Sequence, residues 1–262
     1  MKYCRLQTRH GAQYAEVVDR GGRLWVERLI PPFEEGPVSD FVETSFVPVP
    51  LDEANLLAPV APSKIVCVGR NYREHAAELG NEVPAEPLLF LKAPSALISP
   101  GEAIRIPELS KRVDFEGEIA IVIGERCSKI GPEEDPGDYI RGFTIANDVT
   151  ARDLQKKDGQ WSRAKGFDTF CPVGPLVTDE VDPAAGINIT THLNGELRQE
   201  GNTRDLIFSM DRLLRYITAA MTLFPGDLIL TGTPAGVAPM QPGDQVAVTV
   251  EGLGTLRNPV AG

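Results

Sequence analysis

Residues 112–124, RVDFEGEIAIVIG, constrain the fold of this chain most strongly. Their aromatic and β-branched side chains predict a buried strand, yet Glu116 and Glu118 stand inside it, two positions apart. Strand side chains alternate between faces, so both carboxylates point the same way. Buried carboxylates lose hydration and repel each other, so the fold must compensate for this pair.

Three forms of compensation are open: one glutamate holds a proton, basic side chains neutralise both, or a cation lies between them. Oxygen ligands suit hard cations such as Mg²⁺, Mn²⁺ or Ca²⁺. A half-exposed strand with a solvated acidic face is the simpler interpretation. Asp148 favours the cation, because it ends the apolar run GFTIAN where the chain turns into a helix. Three protein oxygens leave coordination positions open for a substrate, and Asn147 is placed to orient Asp148.

The secondary-structure pattern predicts a mixed, mainly β protein with few helices. The 262 residues include 25 glycines and 22 prolines, and no regular alternation of strands and helices is visible, which favours a roll or barrel-like fold over a Rossmann-type sheet. The clearest amphipathic helix is predicted over 205–222. A shorter helix is predicted over 70–80, with Asn71 as a possible N-cap and Gly80 at its C-terminal end.

The chain is predicted to divide into two domains. Residues 1–57 read as a small β-rich domain, too short for a large core of its own, and 62–262 as the main domain. A proline-rich stretch over 47–61 joins them. Tight hairpin turns are predicted at residues 19–22 and at Asn194-Gly195.

Charge and composition exclude several classes of protein. The net charge of −11 argues against nucleic acid and against an anionic membrane surface as partners. No stretch reaches the roughly 18 apolar residues of a membrane span, and the N-terminus lacks the apolar run of a signal peptide. The four cysteines never form C-x-x-C, so buried reduced thiols in a cytoplasmic protein are expected.

His75 is the histidine most suited to chemistry. Glu78 follows at i+3 on the same helix face, where it can fix the imidazole tautomer and raise its basicity. His10 and His192 are expected to be structural or exposed. From the residues alone, the alternative that this is a solvated helix whose His–Glu pair has no function stays open.

Five segments together resemble the fumarylacetoacetate hydrolase family over residues 62–262. They are VGRNYREHAAE, DFEGEIAIVIG, GFTIANDVTARDLQ, AKGFDTFCPVGP and LILTGTPAGV. The resemblance implies a β-sandwich roll, usually in a homodimer, with a small domain often found ahead of it.

The resemblance also assigns roles to residues. It makes Glu116, Glu118 and Asp148 ligands of Mg²⁺ or Mn²⁺. It also implies a catalytic set of His75, Glu78 and Lys165. In this set the dyad of His75 and Glu78 activates water, and Lys165 stabilises negative charge. The namesake hydrolases carry a further acidic ligand just upstream of the histidine motif, where this chain has no acid and water is expected instead.

Further residues are candidates for substrate contacts. Gln155 resembles a family substrate-binding position, whereas Arg152, three residues earlier, is left open between site and structure. The turn containing Thr233 can bind a carboxylate through its N–H groups. The residues beside the dyad are further candidates: Arg70, Asn71 and Tyr72.

These expectations converge on a divalent-metal-dependent enzyme acting on a small 2-oxo acid. Hydrolysis of acylpyruvates, and decarboxylation or isomerisation of unsaturated 2-oxo dicarboxylates in aromatic catabolism, share a metal-stabilised enolate. The competing interpretations are a Ca²⁺-stabilised binding or structural protein using the same carboxylates, and a metal-free acidic scaffold.

Overall fold

A computed structural model of the chain describes residues 1–33, 46–78, 80 and 82–262. Its nineteen described strands, in chain order, are β1 Lys2–Thr8, β2 Gly11–Arg20, β3 Arg23–Ile30, β4 Val49–Pro50, β5 Leu56–Leu57, β6 Ile65–Gly69, β7 Leu88–Lys92, β8 Leu97–Ile98, β9 Ile104–Arg105, β10 Val113–Asp114, β11 Gly117–Ile123, β12 Ile140–Asn147, β13 Thr150–Ala151, β14 Cys171–Thr178, β15 Asn188–Leu193, β16 Glu196–Asn202, β17 Leu228–Leu230, β18 Gln245–Val250 and β19 Gly254–Ala261. The four described helices are α1 Arg73–Glu78, α2 Arg152–Asp158, α3 Ser162–Lys165 and α4 Met210–Ala220.

The strands build two packed sheets and a short two-stranded ribbon, so the predicted mainly β sandwich roll is confirmed. The larger sheet runs β4-β3-β2-β1-β14-β12-β11-β17-β6-β7, with β5 added to β1 and β8 to β14. The smaller sheet runs β16-β15-β18-β19-β9, and β10 pairs with β13. No described helix is long and apolar enough to cross a membrane.

The two sheets are in close contact at Gly117, where β11 and β12 of the larger sheet face β15 and β18 of the smaller one. A Cβ at this position would overlap Thr191 Oγ1 and lie 2.9 Å from Val248, so only glycine fits here. Sheet packing therefore requires the small residue that separates Glu116 from Glu118.

Both predicted hairpin turns are confirmed. Gly21 and Gly22 link β2 to β3, and Asn194 and Gly195 link β15 to β16. All four have positive φ angles, as a two-residue type I′ turn requires.

The N-terminal strands join the main sheet edge to edge, because β1 pairs with β14 through Lys2↔Thr178 and Tyr3↔Val177. The division into 1–57 and 62–262 stays a prediction, and residues 34–45 of the first unit lie outside the described residues. The homodimer also stays a prediction. All four cysteines are buried and unpaired, as expected.

Two predicted helices are shorter than expected. The helix predicted over 205–222 begins at Met210, after Ser209 caps it by accepting from Arg212 N–H at 3.3 Å. The preceding residues are held extended, since Phe208 N–H donates to Asn71 Oδ1 at 2.8 Å. The helix predicted over 70–80 is α1 in the described residues, with position 79 outside them, and Asn71 is not its N-cap.

The predicted strand over 112–124 is interrupted. Val113 and Asp114 pair with β13, whereas β11 pairs with β12 from Gly117 onward. Phe115 and Glu116 lie between the two pairings, because the chain changes partner there. Glu116 therefore lies immediately before the first residue of β11, next to the C-terminal end of β12.

Candidate active site

Glu116, Glu118 and Asp148 meet at one buried point between β11 and the end of β12. One carboxylate oxygen from each lies within 4.8 Å of those of the other two. Asp148 N–H donates to Glu116 O at 2.8 Å, and Glu116 N–H donates to Asn147 Oδ1 at 2.9 Å. Asn147 therefore orients Glu116, whereas the sequence placed it to orient Asp148.

Three basic side chains neutralise two of these carboxylates. Lys92 Nζ lies 2.6 Å from Asp148 Oδ1. Lys165 Nζ bridges Asp148 Oδ2 at 2.6 Å and Glu116 Oε2 at 2.8 Å. Arg152 Nη2 reaches Glu116 Oε1 at 2.5 Å. Glu116 and Asp148 are thus each held by two cations.

These contacts set the ionisation of the inner site. Burial alone would lower the pKa of Lys165, but Asp148 and Glu116 outweigh it and raise this pKa to about 12. Burial would raise the pKa of Glu116, but Lys165 and Arg152 hold it below its usual value. Lys165 therefore carries its charge at neutral pH and acts as an electrostatic group.

Glu118 is the carboxylate that lacks compensation. It is 2% exposed and accepts one hydrogen bond, from Gly232 N–H at 2.7 Å, and within the described chain it makes no ion pair. Burial, then Asp148 and Glu116, raise its pKa well above the usual value. A divalent cation would supply the missing charge, and three carboxylate oxygens suit Mg²⁺ or Mn²⁺. The residues present therefore fit such a metal.

His75 and Glu78 form the predicted pair at the edge of this cluster. His75 Nδ1 lies 3.3 Å from Glu78 Oε2, and Glu78 Oε1 accepts from Gly236 N–H at 3.0 Å. His75 lines a cavity of about 180 Å³ together with all three carboxylates and Lys165. His10 is exposed and His192 half-buried, so His75 is the histidine that faces the site.

The predicted substrate contacts separate into two groups. Arg70, Gln155 and Thr233 line the cavity, but Asn71 and Tyr72 are not among its described lining residues. Asn71 is fully buried, and its Nδ2 donates to Thr231 O at 2.8 Å and to Phe208 O at 3.2 Å. Its role is to tie the turn after β17 to the segment before α4.

Arg152 lines the cavity and also forms a buried ion pair that stabilises the fold around it. Its Nη1 donates to Gln155 Oε1 at 2.8 Å, and both side chains line the cavity. The two side chains face the cavity together because residues i and i+3 are neighbours on a helix. Its Nε donates to the fully buried Asp114 at 2.9 Å, which also pairs with Arg112.

Gln199, on β16, is a positioning residue that the sequence did not reveal. Its Oε1 accepts from Gly117 N–H at 3.0 Å, and its Nε2 donates to Thr233 Oγ1 at 2.8 Å and to Pro234 O at 2.7 Å. Thr233 Oγ1 in turn donates to Gly117 O at 2.7 Å. Gln199 therefore holds the peptide between Glu116 and Glu118 against the turn after β17.

Replacing Gln199 with Leu is expected to weaken Mg²⁺ binding about 10-fold or more, since outer partners of ligands typically contribute 10- to 100-fold. Isothermal titration calorimetry with MgCl₂ measures this. Gln245→Leu, at an exposed position on β18, is the matched control and should bind as the wild type does. A folded Gln199→Leu protein with unchanged affinity for Mg²⁺ would show that the hydrogen bonds of Gln199 are not needed for metal binding.

The fold and its buried carboxylate cluster match one known family. Residues 64–261 match the family model described as Fumarylacetoacetate (FAA) hydrolase C-terminal. The chain therefore belongs to the fumarylacetoacetate hydrolase family.

Similar proteins with named activities include isomerases, oxaloacetate tautomerases and a fumarylacetoacetate hydrolase. The chain is 40% identical over 224 residues to oxaloacetate tautomerase YisK of Bacillus subtilis, covering 80% of this chain and 74% of that protein. It is 51% identical over 213 residues to protein Rv2993c of Mycobacterium tuberculosis, covering 80% of each. The solved 5-carboxymethyl-2-hydroxymuconate delta-isomerase of Mycobacterium smegmatis is 42% identical, with a TM-score of 0.86, covering 100% of this chain and 98% of that one.

Proposed function

We propose that this chain is a Mg²⁺- or Mn²⁺-dependent tautomerase or isomerase of small 2-oxo acids. The observation that carries the proposal is that His75, paired with Glu78, lines the same small cavity as the carboxylate cluster. The cavity of about 180 Å³ is smaller than the roughly 300–1,000 Å³ of drug-sized sites, which favours a short substrate. The isomerases and oxaloacetate tautomerases among the similar proteins support the same class of reaction.

Glu116, Glu118 and Asp148 would hold the metal. When bound, the metal supplies Lewis acidity toward the carboxylate and keto oxygens of a 2-oxo acid. Lys165 stays protonated beside these ligands, so it stabilises negative charge that develops on the substrate and does not serve as a base. Arg152 adds a second fixed positive charge through its contact with Glu116.

The proton transfer falls to His75. With Nδ1–H donated to Glu78, its Nε2 accepts the proton from the carbon next to the keto group, leaving the enolate. The same nitrogen returns that proton to the oxygen in a tautomerisation, or to a distal carbon in an isomerisation, so that no atom is gained or lost. Glu78, anchored by Gly236 N–H, orients the ring and stabilises the transient imidazolium.

A substrate screen with product identification tests the proposal. Oxaloacetate, acylpyruvates and unsaturated 2-oxo dicarboxylates are incubated with protein and Mg²⁺ or Mn²⁺, and the products are followed by proton NMR and by enol absorbance. Metal-dependent interconversion of keto and enol forms, or a shift of the double bond, is expected. Release of a carboxylic acid would assign hydrolysis instead, and release of CO₂ decarboxylation. Absence of all turnover, with tightly held Ca²⁺ that oxalate does not perturb, would favour the structural alternative.

A further inference from the structure

Two kinds of basic side chain surround the cavity: buried inner ones that contact carboxylates of the site, and less buried outer ones that have no carboxylate partner among the described residues. The inner basic groups all contact carboxylates of the site. Arg70 and Lys156 also line the cavity, but among the described residues neither one makes an ion pair or a side-chain hydrogen bond. Two positive charges at the cavity are thus available to a ligand.

Arg70 lies beside an aromatic wall of the cavity. Its backbone is left-handed, with a φ of 58°, which is uncommon for a non-glycine residue. Its guanidinium carbon lies 6.0 Å from the ring centroid of Trp161, and this ring packs edge-on against Phe90 at 5.2 Å. A Cβ on Gly69 would come within 2.9 Å of Trp161, so the wall is tightly built. Among the described residues, the Arg70 guanidinium therefore has an aromatic neighbour rather than a carboxylate partner.

Lys156 comes from a different element, the helix α2, and is exposed at the cavity while its neighbour Lys157 is not part of the lining. The chain has a net charge of −11, so an anionic substrate meets a repulsive overall field. Local cations at the cavity overcome such a field and orient the incoming anion. Among the described residues neither cation has an ionic partner, and two such cations beyond the inner cluster are more than one carboxylate requires.

We infer that Arg70 and Lys156 form a subsite for the second, distal carboxylate of a 2-oxo dicarboxylate. The inference rests on the proposed function, which places the 2-oxo acid end of the substrate at Glu116, Glu118 and Asp148. The planar guanidinium binds a carboxylate through paired hydrogen bonds and sets its orientation, and Lys156 adds a flexible point charge. The preferred substrate is therefore a short 2-oxo dicarboxylate rather than the monocarboxylate of equal length.

The test compares oxaloacetate with 2-oxobutanoate, which has the same four-carbon chain and one carboxylate. Exchange of the C3 protons in D₂O, followed by NMR with Mg²⁺, gives kcat/KM for both. Arg70→Met is expected to reduce the ratio of kcat/KM for oxaloacetate over 2-oxobutanoate about 10- to 100-fold, the range for charge-assisted paired hydrogen bonds. Arg70→Lys should retain part of the preference, and Lys156→Met should reduce it by a smaller factor that fades at high salt.

The matched controls are Arg73→Met and Lys157→Met. Both residues are close in sequence to the subsite but are not among the cavity-lining residues. These variants should leave the ratio of kcat/KM for oxaloacetate over 2-oxobutanoate unchanged. An equal loss for both substrates in Arg70→Met, or a wild type without preference for oxaloacetate, overturns the subsite. If the wild type exchanges neither substrate, the proposed function is wrong. Calorimetric binding of the two acids to the Mg²⁺-loaded wild type and Arg70→Met then still decides whether Arg70 binds the distal carboxylate.

Discussion

Replacing Glu118 with Gln is expected to raise the melting temperature of the metal-free protein and to abolish its increase on addition of Mg²⁺. Without metal, the folded chain must either bury an uncompensated charge at Glu118 or hold a proton there, whereas the unfolded chain leaves the group ionised in water. Glutamine removes this cost and still accepts from Gly232 N–H. The increase should be a few degrees, because about 1 kcal/mol shifts Tm by ~2–4 °C in a chain of this size.

The same substitution removes one of the three proposed metal ligands. In the wild type, Mg²⁺ at about 100 times its Kd would stabilise the fold by ~2.7 kcal/mol, and this stabilisation should disappear in Glu118→Gln at the same concentration. Differential scanning calorimetry with EDTA and with MgCl₂ measures both effects on one sample. Metal-dependent turnover should be lost together with the thermal shift.

Asp148→Asn provides the informative contrast. It also removes a ligand, but it leaves Lys92 and Lys165 buried without one of their partners, and a broken buried ion pair typically costs about 3–5 kcal/mol. The two variants should therefore move the metal-free Tm in opposite directions. Glu200→Gln, exposed on β16, is the neutral control. A lower Tm in metal-free Glu118→Gln would contradict the view that this carboxylate lacks compensation.

Apart from Asp148 and Lys165, which were predicted from the end of an apolar run and from the family resemblance, the parts of the site that the sequence predicted depend on local geometry. Glu116 and Glu118 share a face because they stand two apart in extended chain, and His75 meets Glu78 because they stand three apart on a helix. The tight turns were predictable for the same reason, since two adjacent residues determine them. Each of these patterns is complete within a few positions.

The parts that were missed depend on long-range pairing. Lys92 reaches Asp148 across 56 residues of sequence and Gln199 reaches Gly117 across 82, through the order of strands in the sheets. In the sequence, Lys92 is simply the last residue of an apolar strand, and Gln199 is one polar residue among others in a hairpin. Neither has a partner nearby in the sequence that would identify it as part of the site. The break between β10 and β11 has the same origin, because a change of pairing partner leaves no periodic signal.

Replacing His75 with Asn is expected to lower kcat about 10²- to 10⁴-fold, the usual contribution of a general acid–base residue. Asparagine retains a polar group of similar reach toward Glu78 but cannot accept and return a proton near neutral pH. The Kd for Mg²⁺ should stay close to that of the wild type, since none of the three ligands is changed. Proton exchange in D₂O and Mg²⁺ calorimetry on the same preparation separate the two effects.

Glu78→Gln and the double variant show whether the pair acts as a unit. Glutamine keeps the contact with Gly236 N–H but removes the charge that stabilises the imidazolium, so a smaller loss of about 10- to 100-fold is expected. If Glu78 acts only through His75, adding this change to His75→Asn should cost little more, because residues that act as a unit are not additive. His192→Asn, half-buried on β15, should exchange protons as the wild type does. Exchange within about threefold of the wild type in His75→Asn would assign the base to another group, and multiplicative losses in the double variant would place Glu78 in a separate role.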